Sequence, residues 1–387
     1  TTSSPYFPYI LAIGRRETLM SEHFKVAIAH DYLTQRGGAE RVALAMHQAF
    51  PQAPIFTTLY DPEGTFPEFK DADIRVTGLN RVAAFRHDHR IALPLLAPAT
   101  SKIKINAGVT LVSSTGFAHG VKTTGAKLVY CHSPARFLYL REQYLGQSSR
   151  FSPKVLGLNA VYAPLLRWDK RAAHSATRYL ANSSIVKERI ERVYGIEAEL
   201  LFPPGGIDAS ASQETVDEIA SWAGQFYLVV SRLMPYKNVD RAIAAFADMP
   251  QRKLAIVGKG PEAERLAAMC PDNVRMFQGL SDGQMRWLYA NCQALIAPSF
   301  EDFGLTPLEA YSFGKPVLAL RGGGYLDTVV EGQTGLFFSK PTSADIAATV
   351  EKNEQITWDH PAIRAHGDKF SLDRFIQALH QQVEALS

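Results

Sequence analysis

Short apolar runs alternate with amphipathic stretches along most of this chain. Lys25-Val-Ala-Ile-Ala-His30 reads as a buried strand; a Gly-Gly turn and a helix over 39–50 follow. Residues 53–59, 74–77, 110–114, 127–132 and 177–181 are further strand candidates, and a helix is predicted over 183–194. The pattern pauses at Phe202-Pro-Pro-Gly-Gly206, a linker composition. It restarts with strand candidates at 226–230, 253–257, 274–277, 294–297 and 316–320, the last read as the final parallel strand. Helices are predicted between them over 238–247, 261–269, 282–290 and 306–313. Strands that alternate with helices give parallel sheets covered by helices, so the expected class is α/β with two such domains.

Length agrees with that division, since 387 residues exceed one ordinary α/β domain and suit two. The two halves repeat an architecture without repeating a sequence. The expected divisions are 1–20 as a leader or extension, 21–203, 204–365, and a terminal helix over 366–387. Residues 1–20 carry no positive charge ahead of their apolar patch, which is the wrong order for a secretory signal. No run approaches the roughly 18 apolar residues of a spanning helix. Cys131, Cys270 and Cys292 are odd in number and lack metal or redox spacing, which points to a reducing compartment.

Net charge is +3, but residues 21–200 carry +8 and residues 201–387 carry −6. Either the first half meets an anionic partner or the charges merely scatter between two domains. Within 79–104, Arg81, Arg86, His87, His89, Arg90, Lys102 and Lys104 surround the apolar run 91–97. That interleaving suits a membrane-surface segment, and equally a solvated helix beside a core segment. Pro94 argues against a long helix.

The chemistry-bearing residues cluster where strands end, the edge at which open α/β sheets bind ligands. Ser299-Phe-Glu301-Asp-Phe-Gly304-Leu-Thr-Pro307-Leu-Glu309 follows a strand candidate. Thr306-Pro-Leu-Glu309 also reads as a capping box, in which Glu309 would serve only its own helix. Two acceptor-only carboxylates beside a glycine suit a hydroxyl-rich ligand such as ribose or a sugar. Ser231-Arg232-Leu-Met-Pro-Tyr-Lys237 places two cations between a strand and a helix, where a phosphate would be held. Gly258-Lys-Gly260-Pro-Glu-Ala263 approaches a dinucleotide fingerprint, leaving a nicotinamide-dependent oxidoreductase open beside a tight turn. Gly37-Gly38 before a helix offers an anion or hydroxyl site, or a turn. His132, in Cys131-His-Ser-Pro-Ala-Arg136, ends another strand candidate at the ligand edge.

Glu-x7-Glu in this strand–loop–helix setting, with Arg232 and Lys237 upstream, resembles the retaining glycosyltransferases of family 4. The resemblance covers roughly residues 25–385 and implies a GT-B fold: two Rossmann-like domains facing across a cleft, with the terminal helix crossing back. It implies an N-terminal acceptor domain and a C-terminal domain for a nucleotide-sugar donor. By that resemblance Glu301 meets the donor sugar, Glu309 the ribose, and Arg232 and Lys237 the diphosphate. Backbone at Phe303, Gly304 and Leu305 meets sugar or phosphate, and Gly258 and Gly260 line the nucleotide site. Gly37 and Gly38 approach the diphosphate, and His132 faces the sugar from across the cleft. The Cys-His-Ser-Pro-x-Arg wording is similar to bacterial mannosyltransferases that use GDP-mannose. Gly323-Gly324 is followed by Asp327 where the family usually has Glu, which leaves that residue's role open.

The expected reaction is hexose transfer by same-face substitution, with no cofactor and no metal. The one Asp-x-Asp, Asp71-Ala-Asp73, lies in a charged loop ahead of a strand. Expected partners are the nucleotide sugar, a glycan or polyprenyl-diphosphate-linked acceptor and an anionic membrane surface, with no nucleic acid. The expected location is cytoplasmic, peripheral on the inner face of the cell membrane. A nucleotide-sugar epimerase of related fold is the neighbouring alternative.

Overall fold

A computed structural model describes residues 23–140 and 153–387. The expectation for residues 1–20 falls outside them. The first half is built on a seven-stranded sheet in the spatial order Ile74–Val76, Ile55–Thr57, Phe24–His30, Ala107–Ser114, Ala126–Cys131, Arg178–Ala181, Glu199–Leu200. The second half has six strands in the order Val274–Phe277, Lys253–Val257, Phe226–Val230, Cys292–Ala297, Val317–Leu320, Gly335–Phe338. Every pairing in both sheets is parallel.

The central strand Phe226–Val230 shows why continuous apolar runs mark such sheets. Successive side chains point to opposite faces. Phe226 and Leu228 enter one core cluster, while Tyr227 and Val229 enter the cluster on the other face. Helix ends follow local chemistry. Ser183 caps Ser184–Tyr194 by accepting from Val186 N, and Gly195 stops that helix in the left-handed region at φ +67°. Ser281 and Gln284 form a reciprocal capping box on Asp282–Asn291.

The chain crosses between halves twice. Residues 202–206 carry no regular structure, and Gly205 N donates to Phe370 O (3.0 Å), so outgoing and returning crossings lie side by side. Helix Leu372–Glu384 then packs Phe375, Leu379 and Val383 against Val42 and Met46 of helix Gly38–Ala49, in the core of the first half.

Four expectations are corrected or decided by the structure. Val317–Leu320 is not the last parallel strand: Gly335–Phe338 pairs beyond it, an edge strand that opens on a glycine directly after the turn Glu331-Gly-Gln-Thr334. The predicted helix 261–269 shrinks to Ala263–Ala267, because Glu262 N is drawn to Leu233 O of the neighbouring loop. The segment 79–104 is broken into short turns of helix, among them Ala83–His87 and Leu93–Thr100. Its apolar run, open between a membrane-surface and a core reading, places Leu96 in the core, packed with Leu59 and Phe117. Fourth, the capping box at Thr306 does not form. Helix Thr306–Ser312 has Leu305 at its N-cap and no side-chain cap.

Candidate active site

In a parallel sheet all carboxyl ends share one edge, and the loops there converge. In the second half they enclose a cavity of about 390 Å³. Strand Phe226–Val230 delivers Ser231 and Arg232 to it, Lys253–Val257 delivers Gly258 and Lys259, and Cys292–Ala297 delivers Ser299 and Glu301. Lys237, Gly304, Leu305, Glu309 and Tyr325 complete the wall. A larger hollow of about 610 Å³ near Lys315, His360 and Arg364 holds none of these residues.

Cation and carboxylate meet at the cavity's centre. Lys237 is buried, and its Nζ bonds Glu301 Oε1. Ser299 Oγ donates to the same oxygen at 2.5 Å. Arg232 is exposed and donates to Tyr236 OH (2.9 Å), so its guanidinium is free to swing toward an anion. Glu309 turns away from its helix terminus: Tyr289 OH donates to its Oε2 at 2.6 Å. Burial raises the Glu309 carboxyl above its ordinary value, while the Tyr289 bond and Arg41 oppose that. A carboxylate that lines the cavity and caps nothing is available to ligand hydroxyls.

The glycines have different reasons. Gly304 lies in the left-handed region at φ +85°, and a Cβ there would come within 2.4 Å of Tyr325 Cε1. A Cβ on Gly258 would meet Ser231 O at 1.9 Å, and one on Gly260 would meet Leu233 O at 2.2 Å. Both are therefore required by close packing of two loops, and Gly258 also lines the cavity. The Phe303 side chain is core, its ring 5.9 Å from that of Phe202, so only its backbone is left for a ligand.

The first half supplies the facing wall. Gly37 and Gly38 open helix Gly38–Ala49, and a Cβ on Gly38 would lie 3.1 Å from Leu305 Cδ1 across the cleft. His132 follows strand Ala126–Cys131, with its Nε2 2.8 Å from Ser113 Oγ. Burial, with the His30 ring beside it, pushes the His132 imidazole down to about 4, so the ring is neutral at ordinary pH. Asp71 and Asp73 are exposed on the far side of the sheet's edge strand, Asp73 bound to Arg75 at 2.8 Å.

Side chains without an assigned role in the sequence join the halves. Asp302, next to Glu301, accepts from Arg136 Nε (2.9 Å) and Nη2 (2.6 Å) and from Arg189 Nη1 (2.8 Å), both in the first half. Burial alone would raise Asp302, but the two guanidinium groups overcome it and hold the carboxyl below its ordinary value. Arg189 also donates to Ser133 Oγ, beside His132. Asp327 accepts from Ser184 N (2.8 Å) and Oγ (2.6 Å), so it caps a helix of the opposite half. Arg41 Nη1 donates to Gly206 O at the crossing (2.7 Å). These partners stand 56 to 166 positions apart, and no local spacing announces them.

Residues 221–359 match the model of the family described as Glycosyl transferases group 1. The chain is similar to the Alpha-1,3/1,6-mannosyltransferase ALG2 of Dictyostelium discoideum, 26% identical over 94% of this chain and 99% of that protein. The Homo sapiens protein of the same name is 24% identical over 90% and 93%. Among solved structures, Anabaena Alr3699/HepE in complex with UDP-glucose superposes with a TM-score of 0.67 at 17% identity, covering 93% of this chain and 100% of that one. Sucrose-phosphate synthase from Thermosynechococcus elongatus gives 0.66 at 18%, covering 94% and 99%. The shared architecture is the GT-B fold.

Proposed function

We propose that this chain, a GT-B glycosyltransferase whose second half is a group 1 glycosyl transferase domain, is a retaining mannosyltransferase. It moves mannose from GDP-mannose to a saccharide or a polyprenyl-diphosphate-linked glycan. The observation that carries the reading is the cavity in which Arg232 and Lys237 stand with Glu301 and Glu309 at the carboxyl edge of one sheet. The mannosyltransferase relatives, which match along nearly the whole chain, support the choice of sugar.

In this reading the diphosphate lies against Arg232, Lys237 and the turn at Gly258. Glu301 accepts from sugar hydroxyls and Glu309 from the ribose. As the bond from the anomeric carbon to the phosphate oxygen breaks, negative charge grows on the leaving diphosphate and the two cations stabilise it. The acceptor hydroxyl enters on the same face, and its proton passes to the leaving phosphate oxygen. One Glu301 oxygen is already held by Lys237 and Ser299, which suits a binding carboxylate better than a free nucleophile. No metal is assigned a step, because the cations stand where charge develops.

The test is a panel of nucleotide sugars scored by thermal stabilisation and slow donor hydrolysis. GDP-mannose should stabilise most and release mannose. Arg232→Ala and Lys237→Ala should each lower transfer by about 10²–10³-fold, and activity should persist in EDTA. Preference for another nucleotide would replace the donor assignment. Loss in chelator reversed by a divalent ion would overturn the metal-free reading, and bound nicotinamide would favour an oxidoreductase.

A further inference from the structure

Beneath the Gly37-Gly38 loop runs a buried file of polar side chains that the transfer reaction as described does not use. His132 Nε2 is 2.8 Å from Ser113 Oγ, and that oxygen is 3.0 Å from His30 Nδ1. His30 Nε2 in turn faces Glu40 Oε1 at 3.9 Å. The sheet builds this file: His30 and Ser113 are register partners on adjacent strands, and His132 follows the next strand across. Glu40 hangs over it from the first turn of helix Gly38–Ala49. His30, Ser113 and Glu40 are each no more than 2% exposed. Glu40 Oε1 accepts from Gln35 Nε2 (3.0 Å), while Glu40 Oε2 and His30 Nε2 have no hydrogen-bond partner.

A serine hydroxyl carries one proton. Lodged between two neutral imidazoles, with no third partner for its oxygen among the described residues, it donates to one ring and accepts from the other, so a file of neutral rings has two polarities. In the first, His30 carries its proton on Nε2, toward the Glu40 carboxylate. Its bare Nδ1 then accepts from Ser113, Ser113 accepts from Nε2–H of His132, and His132 Nδ1 is left as a lone pair. In the second, every bond reverses, and the bare Nε2 of His30 points at the carboxylate. Two acceptors facing each other at a site closed to water are costly, and a low local dielectric magnifies the difference.

We infer that Glu40, acting through His30 and Ser113, is a positioning residue that holds His132 in the tautomer with a bare Nδ1. The ring thereby offers the transferred sugar a hydrogen-bond acceptor for a hydroxyl and offers no donor to a phosphate. The inference rests on the proposed placement of His132 opposite the donor sugar. His132 is half-buried, and its Nδ1 has no partner among the described residues. The low proton affinity of its ring agrees with a neutral imidazole that must be one tautomer or the other. The comparable device in serine proteases, a carboxylate that holds a histidine tautomer, loses up to about 10⁴ in rate when the carboxylate becomes an amide.

Nitrogen NMR of the protein labelled with ¹⁵N-histidine tests this at neutral pH, with His132→Asn identifying the His132 signals. The unmodified protein should show His132 Nδ1 unprotonated and Nε2 protonated. Glu40→Gln can turn its amide N–H toward His30 Nε2 and should switch His132 to the opposite tautomer. It should also lower kcat at least about tenfold while leaving KM for GDP-mannose within about twofold. Glu40→Asp should retain the native tautomer, and Ser113→Ala, which cuts the file without altering charge, should lower kcat as Glu40→Gln does. A protonated Nδ1 in the unmodified protein, a reading that needs no variant to fold, overturns the inference. So does a Glu40→Gln protein whose His132 tautomer is unchanged. A tautomer that switches while kcat holds would overturn the placement of His132 at the sugar and leave the polarity of the file standing.

Discussion

Lys237 and Glu301 form an ion pair inside the cavity at the carboxyl edge of the second sheet, and removing either partner would leave the other uncompensated. In the proposed donor complex a diphosphate beside Arg232 would offer Lys237 a second anion and release Glu301 toward sugar hydroxyls. Glu309 forms no ion pair among the described residues; it accepts a hydrogen bond from Tyr289 OH, with Arg41 acting on it from further off. Glu309→Gln should therefore weaken nucleotide binding about tenfold, the scale of one charge-assisted hydrogen bond. Because Glu309 caps nothing, the melting temperature should move little. Titration calorimetry with GDP against a melting curve separates the two, and unchanged affinity would remove Glu309 from the donor site. His132 supplies a pH prediction. Its folded value, about 4, lies below the ordinary 6.5, so folding favours the neutral ring. That stability is fully present above about 6.5 and is lost as pH falls from there toward 4. Asp302, held low, is lost only below the ordinary carboxylate range, as pH falls through its folded value. Urea midpoints at pH 7.5 and pH 5 should drop for the unmodified protein and drop less for His132→Asn.

At the scale of elements, the strands and most helices were legible because a doubly covered parallel strand is apolar on both faces, as in Phe226–Val230. The segment 79–104 was legible only as a mixture, and the structure sorts it residue by residue. Leu96 is core, and Arg86 is half-buried with its guanidinium on Asn80 O, whereas Val82, Ile91 and Leu95 are 43%, 59% and 45% exposed beside exposed Arg81 and Arg90. His89 returns to the cleft side by stacking on Tyr32 at 3.9 Å. No helix among the described residues is long and apolar enough to cross a membrane. An anionic membrane surface as partner then rests on Ile91, Leu95, Arg81 and Arg90. Each basic group near such a surface contributes about 1 kcal/mol. The protein should sediment with phosphatidylglycerol vesicles at low salt and come off at high salt. Arg81→Glu with Arg90→Glu, or Ile91→Ser with Leu95→Ser, should abolish sedimentation while GDP binding persists. Indifference of the unmodified protein to those vesicles would make a water-soluble acceptor the better assignment.

At the scale of the molecule, two carboxylates of the second half reach into the first half. Asp327 caps helix Ser184–Tyr194, and Asp302 is bracketed by Arg136 and Arg189. Asp302 adjoins Glu301, so the relative position of the halves and the position of a carboxylate lining the cavity are joined by one peptide bond. Removing one partner of a buried pair leaves the other uncompensated. Asp302→Asn should loosen the halves, raising the radius of gyration in small-angle scattering and the KM for donor and acceptor together. A variant with unchanged dimensions and an unchanged KM would confine the bracket to local packing.

The sequence by itself determined the alternation of strand and helix, the break at residues 202–206 and the clustering of Arg232, Lys237, Glu301 and Glu309 after strands. Those are properties of neighbours along the chain: burial periodicity, turn chemistry, and strand ends that all face one way. Only the tertiary structure decided that Glu309 turns to Tyr289 instead of its own helix terminus, because the rival partner lies on another element. The same holds for Asp302, whose arginines stand 166 and 113 positions away, and for His30 and Ser113, which strand register alone brings together. Contacts of that kind are set by how the two sheets pack and face one another, and a charge or hydroxyl in the linear pattern carries no mark of which distant group will answer it.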